Sequence, residues 1–233
     1  MLVSSCGTWQ YPPDNHLPEQ IRDLINQTAE RIDRMRTRSL FVLLLLMPCG
    51  AVGAQDGPSF DCAKAGSTAE KLICSEPGLA KLDRLLAARF AAAVDVVKHL
   101  DAGAKDAERE LRAYQRGWVK GRDDCWKADD PKACVEAEYL RREGDLVARY
   151  MLDKPQSVTA WQCDGNPANE IVTYLFDTTQ PSVRIAYVDT SDTGSLTDAA
   201  RYDASFGRWI EIDGKTARAS MTDGTVMECV AAN

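Results

Sequence analysis

The sequence has little from which an enzyme could be assembled. It holds two histidines in 233 residues and 7% aromatics, and no HExxH, GxSxG or P-loop pattern. The zinc-protease, serine-hydrolase and nucleotide-binding signatures are therefore missing. None of the eight cysteines forms a CxxC pair, which removes the short spacing expected of zinc and redox sites. Positive charge is also in deficit, with 28 Lys and Arg against 35 Asp and Glu, a net −7. Nucleic-acid binding wants a basic footprint, so the balance favours a basic partner instead. What is present is an ordinary globular composition, 45% hydrophobic and 27% charged, long enough for one or two domains with real cores. Eight cysteines, at positions 6, 49, 62, 74, 125, 134, 163 and 229, are many for a reduced cytosol and imply disulfides in an oxidising compartment.

The one strongly apolar run, Leu40 to Met47, is too short to span a bilayer. Arg36 and Arg38 precede it, and Pro48-Cys49-Gly50 and Val52-Gly53-Ala54 follow. That order reads as a signal peptide over 35–54, cleaved after Ala54. Residues 1–34 then read as a non-native extension ahead of a start at Met35, with a cytoplasmic tail before a signal anchor as the alternative. Cys49 raises a lipoprotein reading, and with it membrane attachment, but Pro48 occupies the place where a small residue is expected. The expected product is a periplasmic or secreted protein with six cysteines.

Two regimes divide the remainder. Ser67-Thr68-Ala69-Glu70 reads as a capping box, and Pro77 suits the first turn of a new helix. Leu79, Leu82, Leu86, Phe90, Val97 and Leu100 recur at helical steps; Leu111, Tyr114, Trp118 and Cys125 form a second apolar line, and Cys134, Tyr139, Leu146 and Tyr150 a third. Short connections predict antiparallel neighbours over 55–153. Lys154 to Ser157 reads as a linker. From 158 to 233 the period becomes two, with strands at Ile171–Phe176, Val183–Val188 and Trp209–Ile212 and turns at Asp213-Gly214 and Asp223-Gly224. The expected fold class is α+β and multidomain: a disulfide-stapled antiparallel helical domain followed by a small antiparallel β-barrel.

The economical disulfide pairing is Cys62–Cys74, Cys125–Cys134 and Cys163–Cys229, one of fifteen connectivities open to six cysteines. A metal site is not expected, since His99 is the one histidine after the leader. Phe60-Asp61-Cys62-Ala63-Lys64-Ala65, Glu70 to Cys74, Leu82-Asp83, Gln115 with Trp118, Arg122-Asp123 with Cys125, and Cys134 with Tyr139 and Arg142 together resemble the N-terminal domain of the LprI lysozyme-inhibitor family, over about 59–150. Glu143 departs from that pattern, which has an aliphatic residue there. Trp161-Gln162-Cys163-Asp164-Gly165, Ala200-Arg201-Tyr202, Trp209, Ala217 and Glu228-Cys229 resemble the MliC-type inhibitors of C-type lysozyme, over about 157–229.

These resemblances imply an exported, non-enzymatic inhibitor of a muramidase, needing no cofactor and acting by occluding the substrate cleft. In the barrel family a serine and a lysine enter that cleft and meet its two carboxylates. Here Asp198 and Glu211 fall at those positions, where a carboxylate against carboxylates is repulsive. Ser195 or Thr197 would have to supply the hydroxyl and Lys215 the ammonium; with Arg201 and Tyr202 these complete the candidate contact set. The alternative is an envelope interaction module that has lost the inhibitory pair and binds another basic protein or a cell-wall fragment. A hydrolase built on paired carboxylates such as Asp198 and Asp203 lacks any supporting motif. The negative charge is localised: residues 156–233 carry 5 basic and 11 acidic side chains, net −6.

Overall fold

Helix starts follow from capping chemistry in the computed structural model, which describes residues 57–166, 168–221 and 224–232. The expected leader, with Cys6 and Cys49, lies outside the described residues, as does Asp223 of the second Asp-Gly pair. A 3-10 turn over Cys62–Lys64 precedes helix α1, Thr68–Ser75. At its start Ser67 Oγ accepts from the Glu70 amide, while the Glu70 carboxylate accepts from the amides of Ser67 and Gly66. Those amides, Gly66 foremost, hold the Glu70 carboxyl below its ordinary range. Helix α2, Pro77–Lys98, carries Pro77 in its first turn; α3 spans Ala104–Asp123, and α4, Pro131–Tyr150, is capped by the Asp130 carboxylate.

The helices enclose Ile73, Leu79, Leu86, Val97, Leu111, Val135, Tyr139 and Leu146. Two residues assigned to the apolar faces are outside it. Leu100 follows the end of α2 and is 46% exposed, and Tyr114 is 63% exposed. Three residues past Leu111 is a rotation of about 300°, which places Tyr114 on the flank of α3 rather than in line with the buried stripe. Trp118 is half-buried and meets the Tyr139 ring edge-on at 5.2 Å. Within this core the Tyr139 hydroxyl donates to Asp83 (2.7 Å) and accepts from Arg122 (3.0 Å), which also pairs with Asp123 at 2.6 Å. Burial pushes the Tyr139 phenol well above its ordinary value.

Residues beyond 156 form a closed antiparallel barrel in sequential order: β1 Ser157–Cys163, β2 Glu170–Phe176, β3 Ser182–Tyr187, β4 Thr190–Asp198, β5 Arg201–Ala204, β6 Trp209–Asp213, β7 Thr216–Ser220 and β8 Met227–Ala231. Inward positions hold Trp161, Ile171, Val183, Ile185, Ile210 and Ala219, and the Trp161 indole N–H is satisfied by Thr173 Oγ1 at 2.9 Å. Strand β8 returns to β1 with Cys229 in register against Cys163. Disulfides join Cys62 to Cys74, Cys125 to Cys134 and Cys163 to Cys229. Val188, read as the end of a strand, instead turns the chain at φ 54°.

Helix α4 lies on the outer side of β2, β3 and β4. Val147 and Ala148 pack on Phe176, Thr193 donates to Asp145 (2.7 Å), and Arg184 donates to the Arg149 carbonyl (2.8 Å). A Cβ on Gly144 would meet Ser182 Cβ at 2.9 Å, so only glycine allows this approach. The Glu143 departure has its reason here. The side chain is buried, accepts from the Thr179 amide (3.3 Å) and faces Arg89 at 4.0 Å, so a carboxylate replaces an aliphatic group where barrel backbone needs an acceptor.

Burial pushes the Asp145 carboxyl up, but Arg149, Arg142 and the Thr193 hydroxyl outweigh it and hold it below 3.8. A depressed carboxylate contributes stability that is complete above its unfolded value and lost as pH falls through its folded one. Asp145→Asn is therefore expected to flatten the fall of Tm below about pH 4, that unfolded carboxylate range. An unchanged acid slope in thermal melts would refute this.

Candidate functional site

Because consecutive strands reverse direction, the β2–β3, β4–β5 and β6–β7 connections open at one end of the barrel. The β4–β5 turn brings Asp198 opposite Arg201 across a register irregularity after Leu196, and Asp198 accepts from the Ala199 amide at 2.7 Å. Register then carries Arg201 to Glu211, Glu211 to Arg218, and Arg218 to Glu228 on the outer face. Asp203 pairs with Trp209 on the same face.

The candidate contact residues separate into three situations. Thr197, Arg201 and Asp203 form one cluster: Thr197 Oγ1 donates to Asp203 at 2.6 Å, and Arg201 Nε reaches the other carboxylate oxygen at 2.8 Å. The Thr197 hydroxyl, more than the guanidinium, holds Asp203 below its ordinary pKa. Arg201 also stacks 4.3 Å from the Trp209 ring centre. Tyr202 is half-buried against the barrel core, and burial raises its phenol. Glu211 has Arg218 at 4.0 Å. Ser195 is withdrawn, 8% exposed and within 3.7 Å of the Cβ that Gly144 would carry.

Lys215 stands apart. It sits with Gly214 (φ 58°) in the two-residue connection between β6 and β7 and is exposed. The other basic side chains of the barrel are committed: Arg184 to the Arg149 carbonyl, Arg201 to Asp203, Arg208 to Asp192, and Arg218 to Glu228. Among the described residues, the Lys215 ammonium is the barrel cation with no partner. The pairing of Thr197 and Arg201 with Asp203 escaped the sequence reading, although alternation places Arg201 and Asp203 on one face of a strand.

The described residues contain no group of three or more His, Cys, Asp or Glu placed to hold a metal ion, and no helix long and apolar enough to cross a membrane. His99 is exposed at the end of α2 with its ring nitrogen 2.8 Å from the Asp95 carbonyl.

Fold and site together define a class: a disulfide-braced helical segment packed on a closed eight-stranded barrel, with ion-paired outer strands and, on one turn, an exposed lysine that has no partner among the described residues. In sequence the chain is similar to Lipoprotein LprI of Mycobacterium bovis and of Mycobacterium tuberculosis, 28% identical over 116 residues that cover 50% of this chain and 54% of LprI. It thus spans about half the length of the curated relatives it matches. No family model matches the chain, and no solved structure matches it.

Proposed function

We propose that the protein is an exported, non-enzymatic inhibitor of a lysozyme-type muramidase, most suited to the C-type, and that the barrel end bearing the β4–β5 and β6–β7 turns covers the substrate cleft. The observation that carries this reading is the exposed Lys215 ammonium, without a partner among the described residues, on a barrel segment of net charge −6. The acidic body attracts a basic enzyme over distance, and the one barrel cation left without a partner among the described residues is the group suited to two cleft carboxylates. Similarity to Lipoprotein LprI over half the chain supports the inhibitor reading and an envelope or exported location. The MliC-like reading of the barrel rests on Ala200-Arg201-Tyr202, Trp209 and the Cys163–Cys229 closure. Glu211 is less of an obstacle than its charge suggests, because Arg218 lies beside it.

Titration against C-type, G-type and invertebrate-type lysozymes tests the proposal. Protection of cell walls against the C-type enzyme is expected, and protection against none of the three would end it. Lys215→Glu is expected to weaken inhibition about tenfold or more, the equivalent of a 1.4 kcal/mol loss, and an unaltered inhibition constant would remove Lys215 from the contact.

Asp198 favours a second reading, an envelope interaction module for another basic protein or a cell-wall fragment. Its carboxylate is exposed on the turn where the barrel family places a serine. Recovery of a partner other than a muramidase from envelope extract would support it.

A further inference from the structure

We propose that the groove between α4 and the β4–β5 hairpin is a second binding site, and that its ligand is a neutral oligosaccharide of N-acetylated sugars. The groove has a volume of about 530 Å³ and takes its walls from both halves of the chain, within the size range of small-molecule sites and at the kind of junction where they occur.

Its charge selects the ligand. Glu138, Asp145 and Asp203 face Arg141, Arg142 and Arg149, and each is already in an ion pair: Arg141 with Glu138 at 2.6 Å, Arg142 and Arg149 both with Asp145, Asp203 with Arg201. An anion or a cation would have to displace a partner, whereas a hydroxyl group can add to the remaining lone pairs and N–H groups without breaking one. Two groups are unspent. The Ser195 hydroxyl lines the groove with no hydrogen-bond partner among the described residues, and the Tyr114 phenol on its lip is exposed and likewise unpartnered. A flat aromatic face beside paired carboxylate and guanidinium planes suits a sugar ring, which has an apolar face and a polar rim.

The N-acetyl preference follows from the neighbouring hollow. Tyr114, Arg142, Asp145 and Arg149 also line a cavity of about 400 Å³ whose other walls include Val96, Val97, Leu100 and Met151. The exposure of Leu100 and Tyr114, anomalous for apolar helix faces, is accounted for by this lining. A ligand crossing Tyr114 meets hydroxyl-rich walls on one side and apolar walls on the other, which matches a polyol bearing methyl-terminated amides.

Calorimetry with the intact protein and two probes, the tetramer of N-acetylglucosamine and maltotetraose, tests this. The N-acetylated tetramer is expected to bind at least tenfold tighter than maltotetraose. Tyr114→Ala, at an exposed position, is expected to weaken it about tenfold with an unchanged melting temperature, and Ser195→Ala by a smaller factor. Lys215→Glu, at the barrel end, should leave sugar binding as it is, so this site and muramidase inhibition can fail separately. Absence of binding at millimolar sugar, equal affinity for the two probes, tighter binding of an acidic oligosaccharide, or affinity unmoved by Tyr114→Ala would each overturn the proposal.

Discussion

Replacing Arg122 with alanine will lower the unfolding free energy by about 3–5 kcal/mol, the range for breaking a buried charge pair from one side. Arg122 is 4% exposed, and its guanidinium serves four groups at once: Asp123, the Tyr139 oxygen, and the faces of Trp118 (5.5 Å) and Tyr139 (5.9 Å). Burial by itself would lower its pKa; Tyr139 and Asp123 outweigh it and raise it, so the charge is held rather than tolerated. Alanine leaves a cavity beneath Trp118 and an unfilled oxygen on Tyr139. Arg122→Lys keeps the charge but loses the fork, and should fall between wild type and alanine. Tyr139→Phe should also destabilise, because buried Asp83 then keeps only the Ser59 amide at 2.6 Å. Denaturant titration reads all three, and an Arg122→Ala midpoint within error of wild type would show the network to be dispensable.

Gly144→Leu will separate the helices from the barrel. One added carbon already meets Ser182 Cβ at 2.9 Å, so Gly144→Ala should cost about 1–3 kcal/mol as an overpacked contact. A leucine has no room against β3 and β4 and must push α4 away, exposing Phe176, Val147 and Ala148. Calorimetry is expected to resolve two transitions in place of one, and binding in the α4–barrel groove should be lost. A single unshifted transition for Gly144→Leu would mean that α4 does not depend on this approach.

The helices were legible because their signals are local. Ser67 with Glu70, and Pro77, act within a few residues of themselves, and the apolar steps from Leu79 to Val97 follow one period. Strands β2, β3 and β6 were legible through their β-branched and aromatic residues. Strand β4 was not. Thr190-Ser191-Asp192-Thr193-Gly194-Ser195-Leu196-Thr197-Asp198 holds a single large aliphatic residue and reads as loop, yet it pairs on both sides, with outward hydroxyls lying against α4. Its strand character comes from neighbours, which propensity does not report. The docking of α4 was hidden for the same reason. Glu143 looked like a departure until the barrel backbone stood opposite it, and nothing local marks Gly144 as the point of close approach. At the candidate site the residue types were legible but their state was not: which of five barrel cations is left unpaired depends on strand register.

Closure of the barrel through Cys163 and Cys229 has one more consequence. The bond joins the first strand to the last, so the polypeptide between them is a covalent ring. A single protease cut in any connection from β1–β2 to β7–β8 opens that ring without freeing a strand, and the nicked fragments stay tethered until a reductant reaches them. Durability against proteolysis thus resides in how the chain is looped as well as in how it is packed.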